Sequence, residues 1–266
     1  MDLGSVTAGG DHRSQRITAN SPPTRTNDHV LVPGLYKTQV RLSSSMFRSA
    51  GASGDLFTGG HVIIGSTLAR TAYEFTGPVV DTASIRLTPV EDGFGDVRAF
   101  EESRYRAGTV TRKMAYGLHG DGTLSRRTAN NGGWGWVVTG AAPGFASVKS
   151  MALISKTRTY DTFLANTRGG ALSTIHIPTK SPMKPVVKPV RTRTWQGFEY
   201  LLAQKCGNYG TLLLGVDKDS QSAYLYYVGH ANGTATVIQS VGKVPGTFND
   251  PVYFRFAPIL DPHVGE

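Results

Sequence analysis

The residues best suited to chemistry in this chain are aromatic and polar side chains that could hold a sugar. Trp134 and Trp136 flank Gly135 shortly after Asn130 and Asn131. Alternation along a strand would place both indoles on one face. There the C–H face of a sugar ring can stack while its hydroxyls bond to nearby amides. The same pattern also suits ordinary packing inside a core, so packing is the alternative for this candidate platform.

Polar turns recur at corresponding places along the chain, as repeated ligand sites would require. The stretch 217–222 carries acids at alternate positions, as calcium loops do. However, Lys218 separates the acids, and the glycine and distal glutamate of such loops are missing. A hairpin turn is therefore favoured, and no metal site is predicted. The predicted ligand-binding residues are Asp121, Trp134, Trp136, Asn166, Asp217 and Tyr226.

Catalytic patterns are weak in this sequence. Glycoside hydrolysis needs two carboxylates held at a fixed separation across a cleft. The chain has 19 acidic residues, and its closest pairs, Glu91-Asp92 and Glu101-Glu102, are neighbours in sequence. Neither a Gly-x-Ser-x-Gly motif nor a phosphate-binding loop is present. We predict that the protein is not an enzyme and needs no cofactor, with a glycosidase as an alternative.

The charge of the chain indicates an acidic partner. Lys and Arg total 28 against 19 Asp and Glu, which gives a net charge of +9. Such a balance favours anionic cell-surface polymers, acidic proteins or nucleic acid. The charges are dispersed, and their densest stretch, residues 180–193, is interrupted by prolines, so a nucleic-acid surface is not favoured.

Cysteine usage and hydropathy restrict the fold further. Cys206 is the single cysteine, so no internal disulfide can form. No run of 18 apolar residues is present, so no membrane span is predicted. Secretion is expected, although no export signal is visible at residue 1.

An aromatic residue recurs at intervals of roughly fifty residues, which indicates internal repeats. In three copies a glycine directly precedes it, as in Gly93-Phe94 and Gly144-Phe145. An apolar run, a polar turn and an alternating strand precede each later copy, and helical periodicity is scarce. Units of this size and strand content are typical of propeller blades. The recurring aromatic residues are Phe47, Phe94, Phe145, Phe198 and Phe248.

These repeats predict an all-β fold, a small β-propeller with five blades of about fifty residues. The first 28 residues are polar, show no apolar periodicity and contain Pro22-Pro23. They are expected to form a flexible tail. The predicted organisation is thus a tail over 1–28 and a single propeller domain over 29–266.

The unit carries Gly169-Gly170-Ala171-Leu172 and Trp195-Gln196-Gly197-Phe198, and in this it resembles the five-bladed propeller lectins of the tachylectin type. That resemblance implies shallow sugar sites between blades, repeated around a ring. A basic propeller of this kind also resembles the lectin subunits of bacterial umbrella toxin particles. The second resemblance implies binding to a cell surface and attachment to other protein subunits.

The function predicted from the sequence is non-catalytic binding of a carbohydrate or another cell-surface polymer. A protein-interaction propeller that binds no glycan is the first alternative, and a five-bladed propeller glycosidase is the second. The ligand itself cannot be read from these residues.

Overall fold

The computed structural model describes residues 1–37, 40–51, 56–130 and 135–266, and the regular elements in these residues are β-strands. This confirms the all-β class. Among the described residues there is no helix long and apolar enough to cross a membrane. In chain order the strands are β1 (Asp2–Val6), β2 (His12–Thr18), β3 (Thr24–Val32), β4 (Val40–Ser43), β5 (Met46–Ala50), β6 (Leu56–Ile64), β7 (Thr67–Thr76), β8 (Val79–Glu91), β9 (Val97–Ala107), β10 (Val110–His119), β11 (Leu124–Ala129), β12 (Trp136–Ala142), β13 (Val148–Lys156), β14 (Tyr160–Thr167), β15 (Leu172–Pro178), β16 (Val186–Arg191), β17 (Tyr200–Cys206), β18 (Gly210–Asp217), β19 (Ser222–Val228), β20 (Ile238–Val244) and β21 (Val252–Pro258).

Three sheets each contain four consecutive antiparallel strands, in the order in which the chain makes them. Strands β9–β12 form unit 2, β13–β16 form unit 3 and β17–β20 form unit 4. Each unit is a simple meander, because short hairpins connect antiparallel neighbours directly.

The fourth sheet has nine strands in the order β3-β2-β1-β21-β5-β6-β7-β8, with β4 paired to β6. Strands β21 and β5 pair in parallel, whereas the other pairs in this sheet are antiparallel. The parallel pair therefore joins two antiparallel groups of four. We refer to β5–β8, with β4, as unit 1, and to β21 with β1–β3 as unit 5.

The first strands of the units form a closed ring. Strand β4 contacts β9, β9 contacts β13, β13 contacts β17, β17 contacts β21, and β21 contacts β4. The later strands of each unit lie progressively further from the ring axis, as in a propeller.

The core lies between units rather than within one. Tyr116 of unit 2 packs against Phe163 of unit 3 with ring centroids 4.9 Å apart. Ile63 of unit 1 shares a buried cluster with Val97 and Phe100 of unit 2. Because a sheet face must be covered to be buried, no unit can complete its core without its neighbours.

The expected flexible tail over residues 1–28 is wrong. These residues form β1, β2 and the start of β3, and the side chains of Leu3 and Ile17 are completely buried. Strand β1 pairs with β21 from the other end of the chain. The apolar pattern was invisible because the buried face of β2 also carries polar side chains, His12 and Gln15.

The recurring aromatics connect neighbouring units through their backbone. The N–H of Phe94 donates to the carbonyl of Ser66 at 2.8 Å, and Phe145 and Phe248 donate in the same way at 2.9 and 3.0 Å. Each acceptor lies in or beside the turn between the second and third strands of the preceding unit. We call this contact the inter-unit clip, and the end of the ring that carries it the clip end.

Two members of the aromatic series differ from the sequence interpretation. In the fourth copy the donor is Trp195, which bonds to the carbonyl of Gly170 at 3.0 Å. In the first copy it is Tyr36, which bonds to Gly10 at 3.1 Å, whereas Phe47 lies within β5. Phe198 is nevertheless buried, as expected, and packs on Trp195. The five clip residues are Tyr36, Phe94, Phe145, Trp195 and Phe248, and all are buried.

The role of β2 can be tested with neighbouring substitutions. Ile17→Ala should lower the free energy of unfolding by about 2–5 kcal/mol, because it opens a cavity in a full core. Thr18→Ala, at the exposed next position, should change it by less than about 0.5 kcal/mol. Urea unfolding followed by fluorescence measures both. Equal, negligible effects would restore the tail hypothesis.

The clip aromatics should also differ sharply from exposed apolar residues. Phe248→Ala should cost about 3–5 kcal/mol of stability. Val237→Ala, at a side chain that is 70% exposed, should cost about 0.5 kcal/mol or less. Denaturant melts of the two variants give the comparison, and similar midpoints would contradict a structural role for the clip.

Candidate functional site

The central channel is too narrow to hold a sugar. Its cavity at the clip end has a volume of about 50 Å³, and the cavity further along is about 10 Å³. The narrower one is lined by Glu101, Lys156, Arg255, Asp261 and His263, among others. A water molecule needs roughly 10–15 Å³ of such space, and small-molecule sites begin near 300 Å³.

Residues after β21 cover the channel at the end opposite the clips. Arg255 forms an ion pair with Asp261, and His263 Nε2 lies 2.9 Å from the same carboxylate. Burial lowers the pKa of His263 to about 4, so the imidazole is neutral near pH 7. Burial likewise lowers the pKa of Lys156 to about 8. The ion pair and the imidazole thus hold the segment after β21 across the channel.

The neighbouring acids Glu101 and Glu102 lie in β9, and their pKa values shift in opposite directions. Burial raises the pKa of Glu101. Burial also acts to raise that of Glu102, but His61 Nδ1 at 2.6 Å and Arg104 Nη2 at 3.0 Å outweigh it, and the pKa falls. Opposite shifts are typical of an acid–base pair. Here the adjoining cavity leaves no room for a substrate.

The predicted polar corners serve the turns of the clip end. Asp121 is exposed and accepts hydrogen bonds from Thr123 N at 2.8 Å and Thr123 Oγ1 at 3.0 Å, which lower its pKa. Asp217 Oδ1 accepts from Ser220 N at 3.0 Å, as a hairpin turn would require. These two turns also supply carbonyl acceptors to inter-unit clips.

Asn166 is a structural residue, which corrects its assignment to a ligand site. Its side chain is completely buried. Its Oδ1 accepts from Ser150 N at 3.1 Å, and its Nδ2 donates to the carbonyls of Trp195 and Phe198 at 2.7 and 2.9 Å. The amide thus connects unit 3 to the chain that enters unit 4, and it has no path to a ligand.

Of the two tryptophans in the predicted aromatic platform, the structure describes Trp136 alone. Trp136 is only 8% exposed and packs on His61 of unit 1, with centroids 5.5 Å apart, so the packing alternative holds for it. Trp134 lies outside the described residues. Tyr226 is half-buried against Trp195 at 5.0 Å, and burial raises its pKa. Of the predicted site residues that the structure describes, Asp121 and Asp217 lie in or beside turns, Asn166 and Trp136 are buried, and Tyr226 is half-buried.

An open groove lies instead between units 5 and 1, at the end opposite the clips. We call it the Arg16 groove, and its volume is about 340 Å³. One wall comes from the start of β1, the end of β2 and β3, and the other from β5, β6 and the β7–β8 turn. The lining residues are Asp2, Ser14, Gln15, Arg16, Asn27, His29, Leu31, Arg48, Leu56, Phe75, Gly77 and Pro78.

Charged and polar groups are held in place around this groove. Arg16 Nε donates to Asp2 Oδ1 at 2.8 Å, and Arg48 Nη1 lies 3.8 Å from the second carboxylate oxygen. Arg48 also stacks on Phe256 at 3.9 Å, and burial lowers its pKa. His29 Nδ1 lies 2.8 Å from the carbonyl of Asn27.

Apolar surface accompanies these polar groups. Leu31, Leu56, Phe75 and Pro78 line the groove, so it offers carbon surface beside hydrogen-bonding groups. Sequence reasoning missed the groove because five of its twelve lining residues belong to the stretch 1–28 that was assigned to a tail. Pairing of Asp2 with Arg16 across β1 and β2 is the signal that could have revealed it.

A second cavity lies on the opposite face of unit 1, toward the same end of the ring. We call it the unit 1 cleft, and its volume is about 430 Å³. It lies along β6, β7 and β8, and β8 carries an irregularity opposite Ala72 and Glu74. The lining residues are Phe57, Arg70, Ala72, Glu74, Ser84, Arg86 and Thr88.

Comparisons with known proteins place the chain among β-propellers. No family model matches the chain, and no curated protein matches it. AofleA from Arthrobotrys oligospora has a TM-score of 0.50 at 12% identity, over 93% of this chain and 73% of that one. A mutant Aleuria aurantia lectin in complex with alpha-methyl-L-fucoside gives 0.50 at 14% identity, over 91% and 78%.

An enzyme has the same general fold. An exo-beta-1,3-galactanase from Clostridium thermocellum gives a TM-score of 0.51 at 10% identity, over 96% of this chain and 65% of that one. At such identities the likeness shows the fold alone.

The reassignment of Asn166 leads to a direct test. Asn166→Ala should destabilise the protein by about 3 kcal/mol, because buried carbonyls and an N–H lose their partner. Asp121→Ala, at an exposed turn on the same end, should have a much smaller effect. Thermal melts monitored by near-ultraviolet circular dichroism compare the two variants. If Asn166→Ala melted like the wild type, its structural role would be wrong.

Proposed function

We propose that the protein is a five-bladed β-propeller that binds carbohydrate without turnover, and that the Arg16 groove holds the glycan. The observation that best supports this proposal is the groove itself. It is an open space of about 340 Å³ that combines an Arg–Asp pair with apolar side chains. The two channel cavities, at about 50 and 10 Å³, are far smaller.

The blade count rests on two independent repetitions. Five first strands contact one another in a closed cycle, and five aromatic residues make the same backbone clip to the preceding unit. Units 1 to 5 are then the five blades, and the last is assembled from both ends of the described chain.

The chemistry of the groove suits a sugar ring. A pyranose presents hydroxyl groups around its edge and C–H groups on its faces. Asp2 can accept from hydroxyls while Arg16 donates to them, and each partner holds the other in position. Charge-assisted hydrogen bonds of this kind are stronger than neutral ones. Phe75 and Leu56 offer apolar contact to a ring face.

A protein-interaction role is the second candidate, and one observation favours it. Val137 and Val138 on β12, and Val186 and Val187 on β16, are each about half exposed on outermost strands. Exposed apolar strands of this kind invite pairing with another protein. A subunit role in a secreted toxin complex would use this surface, and both that role and secretion remain predictions.

The glycosidase alternative has weaker support. The galactanase likeness concerns the fold alone, and the channel acids of this chain adjoin a cavity of about 10 Å³. Incubation with a panel of chromogenic glycosides tests the alternative directly. Turnover that is lost in Glu101→Gln would establish it.

The groove proposal predicts which substitutions abolish glycan binding. Array hits, with alpha-methyl-L-fucoside as the first soluble probe, should bind near millimolar, or about −4 kcal/mol per site. Arg16→Gln and His29→Ala should each weaken binding at least about tenfold, which is roughly 1.4 kcal/mol. Titration calorimetry measures the change.

His230→Ala is the matched control, because His230 is exposed on another unit and is not among the residues that line the groove. It should bind like the wild type. If no glycan bound to the array, the protein-interaction role would take precedence. If the hits bound equally well to all three variants, the groove would be the wrong site.

A further inference from the structure

We infer that the unit 1 cleft is a second binding site, specific for saccharides that carry a carboxylate or sulfate group. This rests on the proposed carbohydrate-binding function and specifies a ligand class for a different surface. The cleft and the Arg16 groove lie on opposite faces of unit 1 and have no lining residue in common. They can therefore be tested separately.

Among the residues that the structure describes, the cleft and its surroundings have more cationic than anionic side chains. Two guanidinium groups, Arg70 and Arg86, line it against one carboxylate, Glu74. Lys113 of unit 2 is close enough to Arg70 for the two charges to interact. A concave surface with a surplus of one sign concentrates the field and attracts the opposite charge.

Lys113 is a further cation near Arg70, and Glu102, the acid that interacts with it, also has other partners. Burial lowers the pKa of Lys113, Glu102 opposes the shift, and Arg104 and Arg70 lower it further. Glu102 is itself bound to His61 at 2.6 Å and to Arg104 at 3.0 Å. The ammonium of Lys113 lies over the ring of Trp136 at 5.1 Å. An incoming anion would relieve this crowding of cations.

Arg86 is presented in a way that suits recognition of a planar anion. Its Nη1 donates to the carbonyls of Ala83 and Ile85 at 2.7 and 2.8 Å, which fixes the side chain. Its Nε and Nη2 make no hydrogen bond to the part of the chain that the structure describes. A guanidinium held by one nitrogen can offer the others to a carboxylate or sulfate as a fork.

Local backbone structure creates the space beside Arg86. The irregularity in β8 is held by Ser84, whose Oγ accepts from Glu74 N at 2.8 Å and donates to the carbonyl of Asp81 at 2.6 Å. Ala72 is the cross-strand partner of Arg86, and its small side chain leaves the cleft open. Phe57 supplies an apolar surface. The volume of about 430 Å³ suits one or two sugar rings.

The experiment compares each acidic saccharide with a neutral form of the same sugar. Tetragalacturonate and its methyl ester form one pair, and a sulfated galactan oligosaccharide and its desulfated form make the other. Binding is measured by surface plasmon resonance at low and physiological salt. We expect at least tenfold preference for one or both acidic forms, weakened by salt, and the two pairs distinguish carboxylate from sulfate.

Arg86→Gln should weaken binding of the acidic form at least tenfold. Arg158→Gln removes the same charge from an exposed turn of unit 3 and should have no effect. Ala72→Leu, which fills the cleft without changing charge, should weaken binding as Arg86→Gln does. Thermal melts establish that each variant is folded.

Three results would overturn the proposal. They are equal binding of the acidic and neutral forms, equal losses in Arg86→Gln and Arg158→Gln, and equally strong competition by single-stranded oligothymidylate. Arg16→Gln separates this site from the groove, because it should leave binding of the acidic saccharide intact. Failure of neutral glycans to bind, with the acidic preference intact, would remove the groove proposal and leave the cleft.

Discussion

The antiparallel pairing of β1 with β21 is the interaction on which the remaining structure depends. It joins segments about 250 residues apart along the chain, and it attaches β1–β3 to β21, which is the ring strand of unit 5. Without it, β21 would have β5 as its neighbour on one side and an open edge on the other. The buried clusters on both faces of unit 5 would then lose their cover.

The two ends of the ring are built for different purposes. At the clip end, turn carbonyls and aromatic residues interlock, and polar side chains such as Asn166 and Asp217 satisfy backbone groups. Strong packing there leaves little surface for a ligand. Both candidate sites occur at the opposite end. The interlocking turns and the two candidate sites thus lie at different ends of the ring.

Much of the fold could be predicted from sequence because its signals are local. The period of the aromatic residues and the scarcity of helical patterns can be recognised from short stretches of sequence, one unit at a time. The first and fourth copies were misaligned, since Tyr36 and Trp195 make the clips there rather than Phe47 and Phe198. In sequence, several large aromatic residues are equally good candidates for the clip position. Only the backbone hydrogen bonds in the structure show which residue makes the clip.

The candidate site was largely beyond prediction for a different reason. A groove between units is formed by residues that the ring brings together, and neither Arg16 nor Phe75 indicates the other in sequence. Polar residues at recurring turns suggested a binding corner. In the structure these side chains form hydrogen bonds to backbone groups instead. Trp136 shows the same ambiguity, because alternation cannot say whether a strand face meets solvent or the neighbouring unit.

The closure by β1 also has a consequence during synthesis on the ribosome. Residues 1–32 are made before residues 252–258, so β1 has no partner strand until those later residues have emerged. At about 5–20 residues per second, that interval is on the order of ten to forty seconds. During this interval β1, β2 and β3 lack β21, so the edge of β1 that later pairs with it is unpaired. The exposed residues of β3 include Asp28 and His29, and polar or charged side chains of this kind keep such an edge from pairing with another nascent chain.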